Sequence, residues 1–291
     1  MERKFQIFDF IILIFMAVFC IMIIYPFIYS FSYSISDGMR VISETIILLP
    51  RGFSIDSYIT VLKDQAIITA AMISVLKTLT GVVLFLIVTG LCAYAMSKDY
   101  LVGRKYIFIL YVIPMYVSGG LLPYYMLIHD LGLFNNFLVF ILPTCFGAFF
   151  MFLMKLYFET IPPSLEESAK LDGAGDVVVA VKVYFPLSTP VVVTVALFIG
   201  VSQWNSWFDA LLFVTNRKLY PLQLLLQNIL KQNEISSYLA IADAGKGKGI
   251  TVSNETIKMA ILFITCLPVI LIYPFAQKYF VKGMTMGSVK L

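Results

Sequence analysis

Charge is what this sequence has least of. Only 13% of its 291 residues are Asp, Glu, Lys or Arg, about half the share found in soluble domains. A water-exposed globule of this size could not be covered by so few polar groups. That excludes a soluble enzyme, a disordered chain and a nucleic-acid-binding domain. Histidine is scarcer still. His129 cannot build a metal site by itself, and Asp130 beside it reads as a solvated turn. Cys20, Cys92, Cys145 and Cys266 each stand alone in an apolar stretch, with no CxxC pair. They read as buried free thiols.

Apolar residues fill the space that charge leaves. The chain is 60% hydrophobic, with 25 Phe and 17 Tyr, and its mean hydropathy is +0.91. A bilayer core takes roughly 20 apolar residues per helix, and six stretches qualify: about 7–31, 66–96, 106–128, 134–158, 183–214 and 257–281. The runs are continuous, whereas barrel strands would alternate over about ten residues. The fold class read from this is an all-α membrane protein with six spans in one domain over 1–291. The first stretch follows Arg3 and Lys4 as a secretory signal would. Its apolar run is too long for one, and no small-x-small cleavage site follows, so it reads as a retained helix.

Six spans place both termini on one side. Segments 1–4, 97–105, 159–182 and 278–291 carry ten Lys and Arg in 51 residues, while 31–65, 129–133 and 215–256 carry eight in 82. The denser set favours the cytoplasm, with both termini inside. Pro114, Gly119, Gly120 and Pro123 interrupt the third stretch. Such breaks are tolerated where neighbouring helices or a cavity take up the freed backbone groups. Lys77 is the odd charge of the second stretch. At mid-bilayer it would cost about 2.5–3.5 kcal/mol unless it pairs, snorkels outward or faces a cavity.

Two segments carry functional chemistry. Between the fourth and fifth stretches, Pro162 to Gly175 reads as a short helix with both ends written in. Ser164 is a candidate N-cap with Glu167 completing a capping box, Glu166 and Glu167 sit in the first turn, and Gly173 is a left-handed stop. A helix this short is unstable alone in water, so it calls for a partner surface. Within the fifth stretch, Trp204, Asn205, Trp207 and Asp209 combine aromatic faces with polar groups. That mix suits the C–H patches and hydroxyls of a sugar, and it equally suits an interfacial aromatic belt with polar bonds to neighbouring helices.

The order Glu167-Ser168-Ala169, three residues, Gly173, nine residues, Val183-Tyr184-Phe185-Pro186 resembles the motif of permease subunits of bacterial binding-protein-dependent ABC importers. Ser168, Val183 and Phe185 replace the family's Ala, Ile and Leu. Trp204 to Asp209, Pro221-Leu222-Gln223 and the ending Phe280 to Lys290 look like the maltose-type, MalG-like carbohydrate permeases, most of all the LplC-like branch.

The resemblance implies a type I importer permease in the bacterial plasma membrane, moving an oligosaccharide. It implies a second homologous permease, a dimeric ATPase that carries ATP and Mg, and an extracellular solute-binding protein. No cofactor in this chain is implied. It also makes the segment of Ser164, Leu165, Glu166, Glu167, Ser168, Ala169, Asp172, Gly173 and Ala174, with Pro186, a coupling helix that docks on the ATPase. By the same resemblance the tail with Lys282, Gly283, Gly287 and Lys290 reaches that ATPase. By their own chemistry Trp204, Asn205, Trp207, Asp209 and Lys77 are the candidates for lining the substrate path. The chain has no GxxxxGK[ST] loop with which to hold ATP itself. Two alternatives stay open: a permease for a non-sugar solute, and an ion-coupled secondary transporter. The latter would need a site in broken helices, often within repeated halves, and no such repeat is visible.

Overall fold

The computed structural model describes residues 7–44, 46, 48–231 and 252–285. Among them every regular element is helical. In chain order these are α1 (Ile7–Ser34), α2 (Gly38–Ser43), α3 (Asp56–Lys63), α4 (Gln65–Ser97), α5 (Arg104–Tyr116), α6 (Leu121–Asp130) and α7 (Ala148–Phe158). There follow α8 (Pro163–Leu171), α9 (Asp176–Val179), α10 (Phe185–Leu187), α11 (Thr189–Asn205), α12 (Phe208–Phe213), α13 (Leu222–Leu230) and α14 (Asn254–Thr285). A 3-10 turn, Phe137–Phe140, precedes α7, and a π turn, Ala180–Tyr184, joins α9 to α10.

The six apolar stretches take three forms. α1, α4 and α14 are single helices long and apolar enough to cross a bilayer. The third and fifth stretches are bent pairs. α5 and α6 meet at 118°, and the run Asp176–Leu187 meets α11 at 88°. The fourth is shorter than its sequence suggests. Only Ala148–Phe158 is helical beyond the 3-10 turn, so the expected continuous helix over 134–158 is corrected. Asn135 at φ +52 and Pro143, which has no N–H to give, break it. The freed groups find partners as required of buried backbone. Asn135 N–H donates to the Phe213 carbonyl at 3.0 Å, and Gly147 N–H donates to Thr89 Oγ1 at 3.4 Å.

Two compact units are formed. The first comprises the chain up to Ile68 together with Leu225–Leu267; the second comprises Thr69–Leu224 and the chain from Pro268 on. In the first, Phe31 packs on Phe263 with ring centroids 4.8 Å apart. The apolar run of α1 that would cross a bilayer buries nothing inside the chain, and only Ser32 and Ser34 at the end of the helix are buried. Its Ile, Phe and Met side chains are exposed on every side, which is tolerable only in an apolar solvent or against another apolar surface. Cys20 shares that exposure, and Cys92, Cys145 and Cys266 are half-buried. The four thiols are therefore less buried than their apolar surroundings suggest.

The second unit holds every candidate site residue described. One core cluster joins Phe85, Met96, Met151, Met154, Phe158, Val179, Tyr184 and Val195. Another joins Ile128, Val139, Phe140, Ala210, Phe213 and Leu224. The first lies beneath the short helix α8 and the second beneath the α11–α12 break.

Candidate functional site

Helix α8 starts two residues earlier than its caps suggest. Pro163 occupies the first helical position and Pro162 the cap, with no side-chain capping bond. The Ser164–Glu167 capping box is therefore corrected. A proline at the first position already has helical φ and no orphan N–H, so the chain turns into the helix before Ser164. The C-terminal reading holds. Gly173 has φ +84°, its N–H donates to the Lys170 carbonyl at 3.0 Å, and Ala174 N–H donates to the Ala169 carbonyl at 3.0 Å. This is the paired-bond stop that a left-handed residue permits.

The two neighbouring glutamates part company. Glu166 is buried and points into the protein, whereas Glu167 is exposed. The outward face carries Ser164, Leu165, Glu167, Ser168 and Asp172, together with Leu171, which is 89% exposed. Ala169 and Ala174 pack inward on the first core cluster. Glu166 is thus removed from the docking face that the sequence reading gave it.

Glu166 instead anchors the helix. Its Oε2 accepts from Lys98 and, at 2.9 Å, from Tyr184, while Lys170 lies 2.9 Å from its Oε1. The Lys98 ammonium sits 4.3 Å from the Tyr94 ring centroid and 3.8 Å from that of Tyr184. Lys170 also pairs with Asp176 at 3.1 Å. One carboxylate therefore ties α8 to the end of α4 and to the π turn. Burial pushes the Glu166 carboxyl up. The donors Lys98, Lys170 and Tyr184 outweigh that and hold it down at about 2. The same bond to Glu166 raises Lys170 above the ordinary lysine range.

A folded-state value below the unfolded one means that the stability from Glu166 is fully present above about pH 5 and is lost as pH falls toward about 2. Thermal unfolding of the purified protein should lose midpoint on this acid limb, and Glu166→Gln should flatten the loss. Equal slopes for both proteins would contradict the assignment.

Around this anchor the chain is braced again. Arg104 pairs with Asp99 and, at 2.7 Å, with Glu159, which Lys155 also holds at 2.7 Å. Pro186 lies just beyond the π turn. Proline offers no N–H and its ring crowds the carbonyl four residues back, and a widened turn accommodates both. Phe185 rests on Gly90 of α4, where even a Cβ would come within 2.3 Å of the ring.

The second constellation divides. Asn205, Trp207 and Asp209 line one cleft of about 470 Å³ with Ser202, Gln203 and Ser206. Trp204 is buried on another side and lines an apolar cleft of about 410 Å³ with Thr78, Leu197 and Pro268. The expectation that all four face one path is corrected for Trp204. No glycine or proline stands at 205–208, yet α11 stops at Asn205 and α12 starts at Phe208. Gln223 Nε2 donates to Asn205 Oδ1 at 3.1 Å, which brings together the two segments singled out by resemblance. Lys77 is 0% exposed and donates to the Ser206 carbonyl at 2.5 Å. Of the readings open to Lys77, the structure has the buried bond and not snorkelling, and Lys77 is not among the residues that line either cleft. Lys282 and Gly283 fall on the last turns of α14, while Gly287 and Lys290 lie outside the described residues.

Sequence reasoning missed Lys98 and Tyr184 as partners of Glu166, and also Tyr94 and Tyr100, whose hydroxyls donate to its Oε1 at 3.5 and 3.3 Å. The signal available was Lys98 at the end of a span, but nothing local joins it to a carboxylate 68 residues away.

The family of binding-protein-dependent transport system inner membrane components matches residues 91–286. The chain belongs to this family. The permease is 36% identical over 287 residues, 99% of each chain, to the polygalacturonan/rhamnogalacturonan transport system permease protein YtcP of Bacillus subtilis. It is 33% identical to the protein LplC of the same organism, over 92% of this chain and 89% of that one. Among solved structures it is similar to a chain of a bacterial ABC transporter involved in the import of the acidic polysaccharide alginate. The TM-score is 0.88 and the identity 33%, over 96% of this chain and 99% of the other. The permease is thus an ABC importer subunit with the type I fold, a membrane component and not the catalytic part.

Proposed function

We propose that this permease carries an oligosaccharide across the plasma membrane, driven by ATP hydrolysis on a partner ATPase. The observation that carries the reading is α8. It is a nine-residue helix with Leu165 and Leu171 turned outward and a buried ion pair fastening it from behind. A helix exposing apolar side chains this way is built to be covered. In the proposed assembly the outward face, with Glu167, Ser168 and Asp172, seats on the cytoplasmic ATPase dimer, which holds ATP and Mg. Both termini are cytoplasmic, and the tail beyond Val281, with Lys282, Gly283, Gly287 and Lys290, extends toward the same subunit. A second homologous permease completes the pathway, and an extracellular solute-binding protein delivers the sugar.

The oligosaccharide class is supported by the transported sugars named for the similar proteins. It is also supported by the cleft of Asn205, Trp207 and Asp209, where an aromatic face adjoins hydrogen-bonding groups. Trp207→Ala is expected to raise the KM for uptake of the cognate sugar; an unchanged KM would leave the cleft a structural belt.

Glu167→Lys and Leu171→Asp test the docking face. Both should leave the melting temperature unchanged and abolish substrate-stimulated ATP hydrolysis in the reconstituted assembly. Normal coupled uptake in both variants would defeat the reading.

A further inference from the structure

Four charged side chains are buried among the described residues: Lys77, Lys98, Glu166 and Lys258. Lys98 and Glu166 belong to the anchor of α8, and Lys258 pairs with Glu255 at 3.1 Å. Lys77 remains, at the one interruption of an apolar stretch that no proline or glycine explains. The sequence counts 183–214 as one apolar stretch, yet it breaks at Ser206, whose backbone is extended at φ −69°, ψ 120°. A helix that stops inside a membrane leaves its last carbonyls without partners, and each costs several kcal/mol there unless something donates to it. Lys77 donates to one of them, the Ser206 carbonyl, at 2.5 Å. A cation at that end also meets the negative pole of the α11 dipole.

The surroundings fit this role. The ammonium lies 5.4 Å from the Phe140 ring centroid. It attracts the Asp209 carboxylate across the break, and Ser206 Oγ lies 3.3 Å from Asp209 Oδ2. The buried cation is therefore met directly by a carbonyl and an aromatic face, with the carboxylate acting at longer range, and without such partners its burial would be prohibitive. Asn205, Trp207 and Asp209 are the residues that the break turns into the polar cleft.

We propose that Lys77 is a positioning residue: it holds the break between α11 and α12 and thereby sets the cleft wall of Asn205, Trp207 and Asp209. Its weight for transport rests on the reading that this cleft carries the sugar. Its structural part stands without that reading.

The chain has two tryptophans, so Trp204→Phe leaves Trp207 as its single reporter. In that background, with the full chain in lipid nanodiscs, emission and iodide quenching of Trp207 are measured. Lys77→Met is expected to shift the emission and change the quenching, because the break loses its donor. Lys77→Gln, which still donates a neutral bond, should fall between Lys77→Met and the parent. Lys98→Met removes another buried lysine, from the α8 anchor; it should lower the melting temperature and leave the Trp207 signal as it was.

An unchanged signal in Lys77→Met would overturn the proposal, as would an equal shift in Lys98→Met. Should Lys77→Met not reach the membrane, the proposal is decided by Lys77→Gln against Lys98→Met on the same criterion. Uptake by Trp207→Ala separates the two readings: an unchanged KM there removes the sugar path but leaves the fluorescence result standing.

Discussion

Glu166→Leu is expected to destabilise the permease by about 3 kcal/mol and to uncouple it from its ATPase. The substitution strands Lys98 in a buried site, and breaking a buried pair from one side costs about 3–5 kcal/mol. Cation–π contact with Tyr94 and Tyr184 remains and brings the figure to the lower end. Lys170 and Asp176 keep a weaker, more exposed link. The melting temperature of the reconstituted assembly should fall, and ATP hydrolysis should no longer respond to loaded binding protein. Adding Lys98→Met should recover most of the stability, since an apolar replacement of both partners is commonly neutral or better. It should not recover transport, because the tie between α8 and α4 is still missing. A cycle of the four proteins isolates the pair. Additive losses would mean that Glu166 and Lys98 do not act together. The outward Glu167 provides the contrast, with transport lost and stability kept.

Gly173→Pro is expected to abolish coupled uptake altogether. Proline holds φ near −65°, whereas Gly173 stands at +84°. The substitution also deletes the N–H that bonds the Lys170 carbonyl. The last turn of α8 would open and Ala174 would lose its bond to Ala169. Gly173→Ala is milder. No neighbouring atom lies within 4 Å of the added carbon, so the cost is the left-handed backbone alone, about 1–2 kcal/mol. Asparagine tolerates that conformation better than alanine. ATP-driven uptake should therefore rank glycine, asparagine, alanine, proline. Alanine as active as glycine would mean that the helix stop carries no strain.

The membrane class and the coupling motif were legible because they are written locally. Six apolar stretches are read by counting, and the Glu167–Gly173–Pro186 spacing lies within twenty residues. Gly173 announces its own backbone conformation. The start of α8 was misread because Ser164 and Glu167 fit a capping box, while Pro163 at the first helical position overrode it. The anchor of α8 was illegible because Lys98 and Glu166 are distant in sequence and meet only when α4 and α8 pack. The α11–α12 break was hidden for the same reason. The side chain bonded to it is Lys77, 129 residues away on α4, and Trp204-Asn205-Ser206-Trp207 has no residue that ends a helix by itself. Their shared chemistry likewise joined Trp204 to Trp207, and the structure turns them to different clefts.

The fastening of α8 has a mechanical consequence. A part that only leaned on its neighbour could transmit compression and nothing else. Bonded through one carboxylate to α4 and to the widened turn before Pro186, α8 can also bear tension. A retreating engine could then draw the membrane helices back along the same link through which it had pressed them forward.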